Sequence, residues 1–247
     1  MKFTKMQGCG NDFLVVDGFV ALDADRVREI CDRRRGVGAD GILVIGTAEG
    51  RRWPVTLHNA DGSLGESCGN GARCVARYLL DRHGGESLDL RFIGGDVSAR
   101  REGAGIAITL RAPTPPELVR VDGALRAYRV SVGNPHVVVF VADPATVDLS
   151  AVAVTVRGLH GDANVELARV LGPGLITMRA DERGVGETQA CGTGACATVA
   201  AAACEHRLED TVRVHVPGGE LLVRHGAGRD TFELAGPAEY SFEGRVG

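Results

Sequence analysis

Two segments of this chain of 247 residues place a cysteine in the same setting, Cys68-Gly69-Asn70-Gly71-Ala72 and Cys191-Gly192-Thr193-Gly194-Ala195. Each box opens a run dominated by small and apolar residues, which predicts a helix start just after each thiol. A thiol at that place meets unpartnered backbone N–H groups and the positive end of the helix dipole, and both favour thiolate over thiol. The same N–H groups bind a carboxylate, and glycines 69, 71, 192 and 194 let a ligand approach the backbone closely. Two such sites facing one another would hold one carboxylate and put a sulfur on each face of its α-carbon. One sulfur then removes a proton while the other delivers one to the opposite face, which is the chemistry of racemisation.

The amides are equally selective. Asparagine occurs only at Asn11, Asn59, Asn70, Asn134 and Asn164, and glutamine only at Gln7 and Gln189, at or beside glycine-rich segments that could present them to a ligand. Lysine occurs only at Lys2 and Lys5, so no residue is placed for a pyridoxal Schiff base. Cysteine spacings of C-x5-C at 68 and 74 and C-x4-C at 191 and 196 do not suit zinc. The run Gly36-Val37-Gly38-Ala39-Asp40-Gly41 follows a predicted helix and precedes a strand, the reverse of the dinucleotide context. The expectation is therefore no cofactor and no metal.

A formal net charge of -4 gives no basic footprint for nucleic acid. No stretch approaches the roughly 18 apolar residues of a membrane span, and Met1-Lys2-Phe3-Thr4-Lys5 lacks a signal peptide's apolar core, so a small-molecule enzyme of the cytoplasm is expected. Seven cysteines, an odd number, argue for reduced thiols; Cys31, Cys74, Cys196 and Cys204 read as packing residues.

The elements that must position these groups repeat. The offset between the boxes, 191 minus 68 or 123, also carries Gly10-Asn11 onto Gly133-Asn134 and Asn59-Ala60-Asp61-Gly62 onto Glu182-Arg183-Gly184-Val185. Helices are predicted over 70–81 and 193–205, apolar nearly all round and hence buried, and a third, amphipathic one from Asp23 to about Arg34. Strands are predicted at 12–17, 41–45, 105–111, 124–131, 136–142, 175–180, 211–216, 220–224 and 231–234, many of them alternating apolar and polar residues. The fold class is α+β: two pseudo-symmetric domains, each a mostly antiparallel sheet wrapped around a central buried helix. The expected domains are 1–116, completed by a last strand at about 237–247, and 117–236, with Pro113-Thr114-Pro115-Pro116 as linker and the site in the cleft between them.

The two cysteine boxes, Lys5-Met6-x-Gly-x-Gly-Asn11-Asp12-Phe13, Asn59-Ala60-Asp61-Gly62-Ser63, Gly133-Asn134-Pro135-His136, Asn164-Val165-Glu166, Glu182-Arg183-Gly184 and Pro217-Gly218-Gly219 resemble the diaminopimelate epimerases from residue 2 to about 244. The resemblance implies a cofactor-independent enzyme that interconverts LL- and meso-2,6-diaminopimelate, and a homodimer. Cys68 and Cys191 match the family's catalytic pair, and His136 and Glu182 match positions that assist it. The backbone of Gly69, Asn70, Gly192 and Thr193 matches its anion site. Its substrate contacts fall on Asn11, Asn59, Asn134, Asn164, Glu182 and Arg183, with Arg183 suited to a two-pronged contact with the distal carboxylate and Glu182 to an ammonium. Three departures are Gly41 in place of a common glutamine, Cys9 in place of a leucine and Leu167 in place of an aromatic. A proline racemase or hydroxyproline epimerase shares the two-cysteine logic but suits five ligand asparagines and Glu182-Arg183 less well. A non-catalytic carboxylate binder would have no use for paired thiols.

Overall fold

The computed structural model describes residues 1–226 and 230–247. The chain divides into two compact units, Met1–Ile108 with Gly236–Gly247, and Thr109–Ala235. Each is α+β, and within each the sheet pairs are mostly antiparallel.

In the first unit, helix α1 (Ala24–Cys31) is capped by Asp23, whose side chain accepts from Arg26 N–H at 2.8 Å, and buries Val27, Ile30 and Cys31. It stops short of the expected Arg34 because Asp32 Oδ1 accepts from the Arg34 and Arg35 amides and turns the chain. Helix α2 (Gly69–His83) is buried from Asn70 to Leu80 with only Arg77 partly open, and its last turn, Asp81, Arg82 and His83, is exposed, so it is less apolar all round than expected. It packs on strands Lys2–Gly8, Asn11–Asp17 and Gly41–Ile45 and on Ser87–Phe92 and Gly95–Glu102. Strand Glu239–Arg245 completes this unit by pairing antiparallel with Lys2–Gly8.

In the second unit, helix α3 (Leu149–His160) is an element that the periodicity does not announce. Its Val152-Ala153-Val154-Thr155-Val156 run is β-branched at every second position, a weak helix former. Burial of Leu149, Ala153 and Val156 at i, i+4 and i+7, with Asp148 as N-cap, outweighs that propensity. Helix α4 (Gly192–Ala202) is buried over nearly its whole length and packs on Arg126–Ser131, Pro135–Phe140, Asn164–Gly172, Leu175–Glu182 and Gly219–His225.

The 123-residue offset is exact at the centre of each sheet. Phe13 pairs in parallel with Gly41, and His136 with Asn164, positions 13 + 123 and 41 + 123. Strands Arg52–Asn59 and Leu175–Glu182 stand at the same offset, end to end. Besides α3, the expected elements omit Lys2–Gly8, Arg52–Asn59, Leu64–Gly65, Ser87–Phe92, Gly95–Glu102, Glu117–Val119, Asn164–Gly172 and Gly186–Thr188, while Glu239–Arg245 is the last strand expected at about 237–247. Several of the omitted strands carry charges on their solvent side or a proline, which masks the alternation.

Candidate active site

Cys68 and Cys191 are the N-cap residues of α2 and α4. Each has extended backbone, and each sulfur accepts the N–H of the residue three further on, Gly71 at 3.5 Å and Gly194 at 3.4 Å. Gly194 also leaves room for a neighbour: a Cβ there would lie 2.5 Å from Glu166 Oε1 and force that side chain to shift.

Around Cys68 the first unit gathers Asn11 and Asn70. The thiol lies 3.7 Å from Asn11 Oδ1, which also accepts from Asn70 Nδ2 at 3.2 Å. Asn70 is held in turn by Arg73, whose guanidinium donates to Asn70 Oδ1 at 2.9 Å and to Pro237 O at 3.2 Å. Asn11 Nδ2 donates to Asp40 Oδ2 at 2.6 Å. Asp40 and Asp12 are both tied to Arg33, and Asp12 also to Lys5 at 2.9 Å. Asn59 is engaged elsewhere, donating to Ser63 Oγ at 3.0 Å. At Gly41 a Cβ would lie 2.6 Å from His58 O, so the backbone itself closes the place of the missing glutamine.

Around Cys191 the second unit gathers Asn134, His136, Glu182 and Thr193. Thr193 Oγ1 is 3.6 Å from the sulfur and 3.5 Å from Asn134 Nδ2. His136 is fully buried, with Nε2 3.1 Å from Asn134 Oδ1 and Nδ1 2.7 Å from Glu166 Oε1. Thr188 Oγ1 donates to Glu182 Oε1 at 2.7 Å. Burial pushes the Glu182 carboxyl up, against hydrogen bonds from Thr188 and Cys191. Asn164 faces inward and accepts the Arg183 N–H at 2.9 Å, whereas the Arg183 side chain is half exposed, 3.8 Å from Asp162. The fork proposed for a distal carboxylate is thus open to solvent.

The expectation that both helix starts favour thiolate fails at Cys191. Burial, followed by the charges of Glu182 and Glu166, holds this thiol well above its ordinary range, and the hydrogen bonds from Thr193 and Gly194 do not offset them. Cys74 and Cys196 are pushed up to about 12, both mainly by burial, as packing residues should be. Cys9 is buried in a left-handed backbone conformation, φ 53°, in the turn between Gly8 and Gly10.

Two buried charged neighbours of the cysteines escaped the sequence reading. Glu166 is fully buried, and its Oε2 has no hydrogen-bond partner. Its signal was a glutamate between the apolar Val165 and Leu167, two residues from Asn164 and so on the same face of the strand. Arg73, also fully buried, lies in the first half of its helix between the buried Ala72 and Cys74, away from the exposed charges of the last turn. The donor atoms of His136, Glu166 and Cys191 lie within 4.8 Å of one another, the grouping closest to a metal set among the described residues. Its imidazole and carboxylate already satisfy each other at 2.7 Å, which suits handling a proton.

The fold is shared with solved structures across almost the whole chain. A phenazine biosynthesis protein of the PhzF family from Bacillus anthracis aligns over 100% of this chain and 99% of its own at a TM-score of 0.76 and 16% identity. A hydroxyproline epimerase from Agrobacterium vitis, with trans-4-hydroxy-L-proline bound, aligns over 99% and 91% at a TM-score of 0.71 and 15% identity. The architecture is therefore the two-unit α+β fold of the epimerase and PhzF structures, here with a cysteine capping the central helix of each unit. Within that class the sequence is decisive, and the chain belongs to the diaminopimelate epimerase family, whose profile matches residues 3–110 and 128–239. The family's enzymes are isomerases. Diaminopimelate epimerases of Acidothermus cellulolyticus and Desulfitobacterium hafniense are 40% and 36% identical, over 100% and 99% of this chain and 96% and 97% of their own.

Proposed function

We propose that this protein interconverts LL- and meso-2,6-diaminopimelate with no cofactor, in two-base chemistry carried by Cys68 and Cys191. The supporting observation is the pair of N-cap thiols at repeat-equivalent positions, each beside the N–H groups of a buried helix's first turn. An α-carboxylate held by the first-turn backbone, at Gly69-Asn70 and Gly192-Thr193, brings its α-proton to a sulfur. In one direction the thiolate takes that proton and the opposing thiol gives one up, and in the other direction they exchange tasks. Asn11, Asn59, Asn134 and Asn164 bind the substrate's polar ends, Arg183 its distal carboxylate and Glu182 an ammonium. His136 and Glu182 govern the protonation of Cys191. The boundary between working domains falls near residue 116, the substrate lies in the cleft between the domains, and the active species is a homodimer. The exposed Tyr240 and Phe242 on strand Glu239–Arg245 offer apolar surface for such contacts. No helix among the described residues is long and apolar enough to cross a membrane, in keeping with the cytoplasmic site proposed.

The test is chiral separation of LL- and meso-diaminopimelate after incubation with reduced, chelator-treated protein in heavy water. Epimerised product labelled at the α-carbon, with little label in substrate recovered early, is expected. Inactivity on diaminopimelate beside turnover of proline or hydroxyproline would replace the substrate, and activity that returns only with added metal would remove the cofactor-free mechanism.

A further inference from the structure

The repeat pairs Asn11 with Asn134 and Asn70 with Thr193, each 123 residues on, yet the two asparagines turn opposite ends of their amides toward the helix starts. In the first unit the orientation follows from the groups at the two ends of a chain. Asp40 is a carboxylate and can only accept, so the Asn11 atom 2.6 Å from its Oδ2 is Nδ2, and the amide oxygen points away from it. Arg73 can only donate, so the Asn70 atom 2.9 Å from its guanidinium is Oδ1, and Asn70 Nδ2 donates to Asn11 Oδ1 at 3.2 Å. Both ends demand the same arrangement. It leaves Asn11 Oδ1 3.7 Å from the Cys68 sulfur, whose S–H donates to it. In the second unit Ala163 stands 123 residues on from Asp40, and His136 stands 123 residues on from Phe13. Without a carboxylate at that place, Asn134 turns its oxygen to His136 Nε2 at 3.1 Å and its Nδ2 to Thr193 Oγ1 at 3.5 Å, and the hydroxyl oxygen in turn lies 3.6 Å from the Cys191 sulfur.

An amide oxygen beside a sulfur favours the S–H and repels a thiolate, the reverse of a helix-start N–H. The N–H groups of Gly71 and Gly194 are common to the two cysteines, so the amide makes the difference. Of the titratable and charged groups around Cys68, Asp12 and Asp40 are paired with Lys5 and Arg33, Cys9 is buried, Cys74 is kept neutral by burial, and Arg73 is hydrogen-bonded to Asn70 and Pro237.

We propose that Asp40 is a positioning residue for Cys68: by holding Asn11 Nδ2 it keeps the amide oxygen on the sulfur, so that Cys68 rests as the thiol. The inference rests on the two-thiol reading above and deepens it, since the proton that Cys68 delivers in one direction of the reaction is in place before substrate arrives. Asp40 itself touches neither the sulfur nor the substrate in this account and acts only through the Asn11 amide.

The test is alkylation by iodoacetamide across about pH 5 to 10, followed for each cysteine peptide by mass spectrometry, which reports the thiolate fraction. Exposed Cys204 is the internal reference. In the wild type the Cys68 midpoint should lie at or above that of Cys204. Asn11→Ala removes the acceptor and should lower the Cys68 midpoint by roughly 0.5 to 1 pH unit, the size of one hydrogen bond. Asp40→Ala should lower it by less, because Asn70 still holds the Asn11 oxygen from the other side. Asp40→Asn keeps an acceptor for Asn11 Nδ2 while removing the charge, and should keep the wild-type midpoint. Equal shifts in Asp40→Ala and Asp40→Asn would mean a purely electrostatic Asp40 and overturn the proposal, and so would an unmoved Cys68 midpoint in folded Asp40→Ala. A wild-type Cys68 midpoint below that of Cys204 overturns it even if no variant folds. The titration uses no substrate. Failure of the diaminopimelate assay with the midpoints as expected would remove the proposed function and keep the role of Asp40, and the converse result would do the opposite.

Discussion

The two cysteine boxes begin with the same backbone and end with opposite electrostatics. In both, an extended N-cap cysteine accepts a helix N–H, and the neighbouring parallel strand pairs keep one register, Phe13 with Gly41 and His136 with Asn164. In the first unit Asp12 and Asp40 each meet a cation, and the hydrogen bonds of buried Arg73 go to an amide and a carbonyl oxygen. In the second, buried Glu166 is partnered only through His136, and Glu182 is pushed up by burial. A repeated scaffold can therefore supply identical backbone donors to two sulfurs while the side chains around them differ in charge and burial.

The comparison breaks most visibly if either sulfur is dispensable. Cys68→Ala and Cys191→Ala should each lower epimerisation by orders of magnitude in both directions, and the double variant should be little worse than either single, because the pair acts as a unit. Substantial activity in one single variant would mean a one-base enzyme. Next in size is the buried pair of the second unit. Glu166→Ala leaves His136 Nδ1 without its partner while Nε2 keeps Asn134, and should cost about 1–3 kcal/mol of unfolding free energy, read by urea denaturation; an unchanged midpoint would show that this carboxylate is not structural.

The first unit has a counterpart at acid pH. Burial by itself would raise the Asp12 carboxyl, but hydrogen bonds and charges from Arg33 and Lys5 outweigh it and hold the group at about 2. A depressed carboxyl stabilises the fold above its ordinary value of 3.8 and loses that contribution as pH falls towards about 2. Asp12→Asn should therefore cost roughly 2 kcal/mol at neutral pH, and the difference from wild type should vanish at the acid end of a pH series of melts. The smallest effect is expected at Arg183. Its side chain is half exposed and its one ion-pair contact is 3.8 Å away, so Arg183→Lys should weaken substrate by roughly 1 kcal/mol, about fivefold in KM. Wild-type kcat/KM in that variant would move the distal carboxylate elsewhere.

Much of this was legible because the chemistry needs rare residues at special backbone places. Cys-Gly-x-Gly before an apolar run marks an N-cap without tertiary knowledge, and the 123-residue offset followed from identities at glycine turns that tolerate little substitution. Helix α1 read correctly to within a few residues because capping and amphipathicity are local. Helix α3 did not, because its β-branched sequence is helical only by virtue of the face it buries.

By itself the sequence determined the α+β repeat and the two thiols at helix starts, since each depends on local propensity or on a scarce residue type, whereas Asn59 and Asn164 turned to Ser63 and the Arg183 amide. Only the tertiary structure decided the charge of each site. Whether Glu166 meets His136, whether Asp12 meets Lys5 and Arg33, and whether Arg73 meets any carboxylate depend on contacts between residues far apart in the chain. An ionisable group responds to its burial and its nearest charges more than to its place in a motif, so the helix-start pattern alone did not announce that burial raises the Cys191 thiol.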